Sequence, residues 1–474
     1  MSKKRISILL AFVLLLSVAL TACASATPEP TEEPEPVVEE PAEEPMEEEE
    51  PMEEEEPMEE DMTLDLSDQT VVFWHPFSSG DQLEGINAIV AEFNETNMYG
   101  ITVEAIEQGR QSDLETAVNA AIASGDLPNV TGGFPNGLAS WYGVGVIADL
   151  NQFINDPDYG LSEDEYNDIF DGVLGAGTLA DGTQVGIPMH QSANVHFYNA
   201  TWAQELGFDS PPSNTAEFKE QACAAAEANA NDDDPDNDGT GGYVLFPGAS
   251  NVANWVYAFG GDIVDETGND YALDSQVVKD VALFLKDLQD NGCTFSTESF
   301  PNPEMATRKA LFTDSSTAGI PFQLAAFEDA GNDDEWTLLP FAGPDGTQAI
   351  NAFGQMVGIV DTNEDANLAS WLWLKYFTSP ETQAKWIGYS AYFPSQSATF
   401  DLIGDFTAEN PIYTLGLDLL PLGNSEPPIP AHGAVRGAIT DAFFAVLGAA
   451  DEAEIDQILA DLDATAAELV SETQ

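Results

Sequence analysis

Residues 69–77 read QTVVFWHPF, and the fold turns on how this run is read. Val71, Val72, Phe73 and Trp74 make a short β-type run of β-branched and aromatic side chains. Working outward, DQLEGINAIVAEFNETN (81–97) places Leu83, Ile86, Ile89, Val90 and Phe93 on one helical face. ITVEAIE (101–107) alternates as a second strand, SDLETAVNAAIASGD (112–126) reads as a second helix ending near Gly125, and PNVTGGF (128–134) as a third strand. Strand, helix, strand, helix, strand opens a doubly wound α/β lobe. In such sheets ligands sit beyond the carboxyl ends of the strands, which puts Trp74, His75 and the turn Phe134-Pro135-Asn136 at a crevice.

Upstream, Lys3, Lys4 and Arg5 precede an apolar run at residues 6–20, too short to span a bilayer comfortably and flanked like a cleaved export signal rather than an anchor helix. Leu20-Thr21-Ala22-Cys23 resembles a bacterial lipobox, which implies a lipid on Cys23 and a chain anchored to a membrane without spanning it. Residues 23–66 are rich in Pro and Glu, with a PMEEEE repeat starting at Pro45 and Pro51. Like charges repel and no apolar periodicity offsets ordering entropy, so this segment reads as a disordered tether. At ~3.3 Å per residue it reaches at most ~130 Å. An acidic metal-binding tail is the rival, but nothing there fixes ligand geometry.

The remaining ~400 residues suffice for two lobes with separate cores. The formal charge is −72, with 84 acidic residues against 12 Lys and Arg. Such a body repels phosphate backbones, which excludes nucleic-acid binding, and it disfavours anionic ligands unless a scarce cation sits in the site. With Cys23 lipidated, Cys223 and Cys293 remain as an even pair in an exported protein, so a disulfide between them is expected, against two buried thiols.

A second lobe begins near residues 182–222, where VHFYN (195–199) alternates as a strand and two helices follow around a Pro-Pro turn. RKALFTDSSTAGIPF (308–322) and INAFGQMVGIV (350–360) read as strands ending in small polar loops. Residues 366–390 form an amphipathic helical region with Trp371, Leu374, Phe377 and Trp386 toward the core, and helices close the chain from 433 to about 470.

Several stretches resemble the extracellular solute-binding proteins, family 1, of ABC importers. FWHPF, AIVAEFNETN and ITVEA are similar to that family's first strand, helix and strand. GIPMHQSANVHFYNATWAQELGFDSPPSN (186–214) resembles the crossing from one lobe to the other, ALFTDSSTAGIPF (310–322) the return, and YFTSPETQAKWIGYSAYFPSQSA (376–398) a hallmark helix and loop. The resemblance implies an α/β, two-lobe periplasmic-binding-protein (Venus-flytrap) fold, each lobe a mixed sheet flanked by helices, with several hinge crossings. It divides the body into 67–185 with 313–362 as lobe 1, and 186–312 with 363–474 as lobe 2. It implies a monomer that captures a saccharide by interlobe closure, with no catalysis and no required cofactor, and hands it to ABC permease subunits. A glycerol-3-phosphate or other phosphorylated-polyol binder is the alternative, and a secreted carbohydrate-active enzyme a more distant one; the chain contains no HExxH, G-x-S-x-G or P-loop motif.

Sugar sites combine aromatic platforms with side chains that donate and accept hydrogen bonds. By position against the family, the ligand-binding candidates are Trp74, His75, Arg110, Gln111, Asn136, His190, Gln191, Ser192, Ser315, Ser316, Phe353, Gly354, Tyr392 and Arg436, and Trp255 joins them as an aromatic by residue type. Trp255 competes with a core role, His190 with an interior one, the serines with helix caps, and Arg436 with a structural ion pair. Finally, Asp234, Asp236, Asp238 and Thr240 in DDDPDNDGTGGY fit positions 1, 3, 5 and 7 of a calcium loop, although Leu245 stands where a bidentate glutamate belongs. A structural calcium ion and a hydrated Asx turn are both compatible with that pattern.

Overall fold

The structure, a computed structural model, describes residues 64–78, 80–297 and 300–473. Residues 62–474 form one compact unit. The expected export signal, Cys23 and the tether up to residue 63 lie outside the described residues. The tether boundary expected at residue 66 moves, because Leu66 is buried and its N–H donates to the Tyr99 carbonyl at 2.9 Å. Among the described residues no helix is long and apolar enough to cross a membrane.

Among the described residues thirteen strands build two sheets: β1 (Thr70–His75), β2 (Thr102–Glu107), β3 (Val130–Gly133), β4 (Ile187–Pro188), β5 (Ser192–Asn199), β6 (Gly241–Val244), β7 (Thr294–Phe295), β8 (Ala310–Ser316), β9 (Trp336–Leu339), β10 (Phe341–Ala342), β11 (Gln348–Phe353), β12 (Met356–Ile359) and β13 (Gly423–Asn424). The first sheet runs β2-β1-β3-β12-β4, and the second β10-β11-β5-β8-β6-β7, with β13 beside β11 and β9 beside β5. The QTVVFWHPF strand is interior, parallel to both β2 and β3, which is why its side chains are apolar on both faces. The sheets are mixed: β12 is antiparallel to β3 and β4, and β5 is antiparallel to β8 and β11.

The longer helices are α1 (Gly80–Thr96), α2 (Gln111–Ser124), α3 (Pro135–Gly143), α4 (Thr215–Asn231), α5 (Ala249–Ala258), α6 (Gln276–Asp290), α7 (Ile320–Ala330), α8 (Glu364–Phe377), α9 (Pro380–Ser390), α10 (Pro411–Leu419), α11 (His432–Gly448) and α12 (Glu452–Thr473). The first core joins Phe73, Ile86, Ile89 and Phe93 to Trp371, Trp373, Phe377 and Trp386. The second joins Phe218, Tyr243, Trp255 and Phe312 to Val435, Phe443 and Leu459 of the C-terminal helices. Each fully buried aliphatic or Phe side chain contributes roughly 1.5–3 kcal/mol.

The pairing revises the expected lobe boundaries. β8 to β11 belong to the second sheet, so residues 313–353 do not return to lobe 1. The return comes only at Gly354, where a Cβ would stand 2.0 Å from the His190 carbonyl oxygen, so two crossing strands run backbone against backbone. Conversely α8 and α9 bury Trp373 and Trp386 against Phe73 and Phe77 in the first core, not in lobe 2.

Cys223 of α4 and Cys293, just before β7, are joined as a disulfide across 70 residues of sequence. Reducing it, or exchanging Cys293→Ser, is expected to lower second-lobe stability by about 2–4 kcal/mol in denaturant unfolding. An unchanged midpoint with and without reductant would count against a stabilising bond.

Two first-lobe histidines set a second expectation. Burial pushes His75 down to about 4 and His190 to about 3, so both are neutral in the fold. The unfolded chain takes up these protons near pH 6.5, so their contribution is complete above that value and is lost as pH falls toward 4 and 3. Each accounts for roughly 1.4 kcal/mol per pH unit inside its window. Melting curves from pH 7 to 4 should therefore slope more shallowly for His190→Gln than for the parent.

Candidate functional site

A cavity of about 570 Å³ opens between the two sheets, and both lobes wall it. The first-lobe wall is Gln111, Ser112 and Glu115 at the start of α2, with Phe134, Pro135 and Asn136 where β3 turns into α3. Sequence explains both turns. Asp113 accepts the Arg110 N–H at 2.9 Å and starts α2, while Pro135 at the first position of α3 needs no amide partner. Gln111 accepts a bond from Gln355 Nε2 at 2.8 Å, tying this wall to the crossing strand. Phe134, 38% exposed, presents an aromatic face.

The second-lobe wall is Ser250 of α5, Phe353 and Gly354 at the end of β11, Glu426, and His432, Gly433 and Arg436 of α11. His432 and Arg436, four residues apart on one helix, share a face and meet the same carboxylate. Glu426 Oε1 accepts from Ser250 Oγ at 2.7 Å and Asn351 Nδ2 at 2.6 Å. Its Oε2 accepts from His432 Nε2 at 2.6 Å and from the Arg436 guanidinium. With Nε2 donating, the other His432 nitrogen accepts the Tyr271 hydroxyl at 2.8 Å. Burial alone would raise the Glu426 pKa, but the His432 hydrogen bond and the Arg436 charge outweigh it and hold the carboxyl well below the usual range. The Glu426 side chain is 11% exposed and that of Arg436 41%, so the carboxylate is enclosed while the guanidinium reaches the cavity.

Of the fifteen ligand candidates, Gln111, Asn136, Phe353, Gly354 and Arg436 line this cavity. Arg110 stands exposed next to it, supplying the N-cap backbone of α2. The structure places the others elsewhere. Trp74 packs against the cluster of Leu114 and Leu138, and Trp255 is 1% exposed in the second-lobe core. His75 is buried beside Phe77, and His190 is buried with its ring 3.8 Å from that of Tyr392. Gln191 donates to the Pro394 carbonyl, and Ser316 donates to Ser192 at 3.1 Å while capping the turn at Ala318. Ser315 sits opposite Val195 in the β5–β8 ladder. These residues build the crossing strands and cores, because strand-end positions near the hinge bury as readily as they face the cleft.

Sequence reasoning placed the Phe134 turn at the crevice but missed Ser250, Glu115, Glu426 and His432. One signal was available: SEPPIPAHGAVR (425–436) carries a glutamate before two prolines, then His and Arg at helical spacing.

Among the described residues no group of three or more His, Cys, Asp or Glu is placed to hold a metal ion, and the loop of Asp234, Asp236, Asp238 and Thr240 shows no such set. The Asp234 carboxylate instead accepts the Asp236 N–H at 3.0 Å, and Thr240 Oγ1 donates to the Asn237 carbonyl at 2.6 Å, as in Asx turns. Chelator should leave the melting temperature unchanged; a clear drop in EDTA that calcium reverses would restore an ion to this loop.

A sequence profile described as bacterial extracellular solute-binding protein matches residues 88–413, more than half of the chain. No curated protein matches the chain by sequence. Among solved structures, the cyclic alpha-maltosyl-1,6-maltose binding protein from Arthrobacter globiformis superposes with TM-score 0.72 at 19% identity, over 85% of this chain and 99% of that one. The sugar-binding protein MalE from Xanthomonas citri gives 0.73 at 18% identity, over 85% and 98%. UgpB from Mycobacterium tuberculosis, in complex with glycerophosphocholine, gives 0.66 at 17% identity, over 85% and 98%. These likenesses carry the fold, two α/β lobes around a cleft, and the profile match carries the family. The chain belongs to the bacterial extracellular solute-binding proteins.

Proposed function

We propose that this protein is the substrate-binding component of an ABC importer, holding an uncharged saccharide in the interlobe cleft and delivering it unchanged to the permease. The observation that carries this reading is the cleft's chemistry. Its walls offer amide and hydroxyl groups from Gln111, Asn136 and Ser250 beside the Phe134 and Phe353 rings, a combination suited to sugar hydroxyls and ring faces. Its guanidinium is paired with Glu426, and Glu115 adds a further carboxylate, so an anionic solute gains little there. The sugar named for two of the structural neighbours points the same way.

A second reading, a phosphorylated polyol, draws on the exposed part of Arg436 and on the glycerophosphocholine named for UgpB. In either case we place the protein on the outer face of the membrane as a monomer tethered through a lipid on Cys23. Bound solute would touch both walls and shift the open–closed population by its differential affinity.

The test is a calorimetric panel of neutral oligosaccharides and sugar phosphates on the body without its tether, with mass spectrometry of solute released from the purified protein. A neutral saccharide is expected to bind, to compact the protein in solution scattering, and to be recovered intact after hours. Asn136→Ala should weaken it by about 1–3 kcal/mol, the range for a lost buried hydrogen bond. Turnover of the sugar, or tight binding with no compaction, would overturn the reading.

A further inference from the structure

Glu426 is the most heavily engaged carboxylate among the described residues that line the cleft. Its two oxygens take donors from three separate parts of the second lobe: Ser250 on α5, Asn351 on β11, and His432 with Arg436 on α11. A buried charge is costly unless fully paired. Here the pairing partner is the half-exposed Arg436, whose guanidinium carries five N–H donors. The carboxylate satisfies part of that fork from behind and leaves the rest directed at the cavity. His432 is held in the same way, its Nε2 on Glu426 and its other nitrogen on Tyr271.

We propose that Glu426 is the specificity-determining residue of the cleft: by neutralising Arg436 and fixing His432 it makes this wall a donor of hydrogen bonds to uncharged oxygen atoms and not a phosphate site. The inference rests on the solute reading above and deepens it by naming the group that selects neutral solutes. Without this carboxylate, the cavity would hold an unpaired guanidinium, whose N–H fork suits a phosphate. Glu426 therefore stands between two specificities that the rest of the cleft could serve. It acts through Arg436 and His432, as a positioning residue.

The experiment compares the parent body with Glu426→Gln and Glu426→Asp, using glycerol-3-phosphate and inorganic phosphate as probes, by calorimetry at low and moderate salt. Glu426→Gln keeps the shape of the side chain and removes its charge, and it is expected to bind glycerol-3-phosphate at least tenfold more tightly than the parent. The gain should shrink as salt rises and should disappear in Glu426→Gln combined with Arg436→Gln, which a merely structural role for Glu426 would not produce. Glu426→Asp, which keeps the charge but withdraws it by one methylene, should show a smaller gain and provides the readout if the Gln variant does not fold. A folded Glu426→Gln that binds phosphate no better than the parent overturns the proposal. So does a parent protein that already binds glycerol-3-phosphate at micromolar concentration, a measurement that needs no variant. The neutral-saccharide panel is a separate arm. Saccharide binding without a phosphate gain sinks the role of Glu426 alone, and a phosphate gain with no saccharide bound sinks the solute reading alone.

Discussion

The structure depends on a backbone contact at the hinge. Gly354 passes so close to the His190 carbonyl that no side chain fits between them. The Met189 N–H donates to the Gln355 carbonyl at 2.9 Å, and Gln191 and Phe393 exchange N–H bonds at 3.0 and 2.8 Å. Three crossings of the chain are thereby laced side by side, and Gln383 donates to the Met189 carbonyl at 3.1 Å to add α9 to the bundle. Two sheets hung on such a narrow ribbon can change their mutual angle by small backbone rotations at the crossings while each core stays packed. The buried His190–Tyr392 stack and the Ser192–Ser316 bond belong to this lacing.

The body's acidity gives its few cations unusual weight. Lys279 bridges to Glu452 and Asp456, Arg308 to Glu205 and Asp334, and Lys385 to Glu92, so each ties one element to another. An exposed pair such as Lys385–Glu92 is worth about 0–1 kcal/mol. The Arg436–Glu426 pair differs because its guanidinium faces a cavity. Desolvation of Glu426 is offset by four donors.

Much of the fold was legible because local patterns report local structure. The alternation of β1 to β3 with α1 and α2, and the buried stripe at Trp371, Leu374, Phe377 and Trp386, follow from periodicity alone. The lobe boundaries were not legible: whether β8 pairs with the first sheet or the second depends on β5 and β6, which lie far from it in the sequence. The cleft was read in part. Gln111, Asn136 and Arg436 occupy strand-end or helix-start positions that any doubly wound fold exposes, whereas Glu426 lies in an irregular loop where no period marks it. His75, His190 and Trp255 look like ligand contacts by type and position, yet the packing of aromatic neighbours enclosed them.

The sequence by itself determined the element types, the apolar faces that build each lobe, and an acidic surface that repels anions. These follow from side-chain chemistry and short-range periodicity, which need no knowledge of neighbours. Only the tertiary structure decided which sheet each later strand joins, which of the candidate side chains face the cleft, and that Glu426 closes on Arg436 and His432. Those outcomes rest on contacts between residues far apart in the chain, where steric fit and the cost of burying an unpaired charge choose among arrangements that local patterns leave equal.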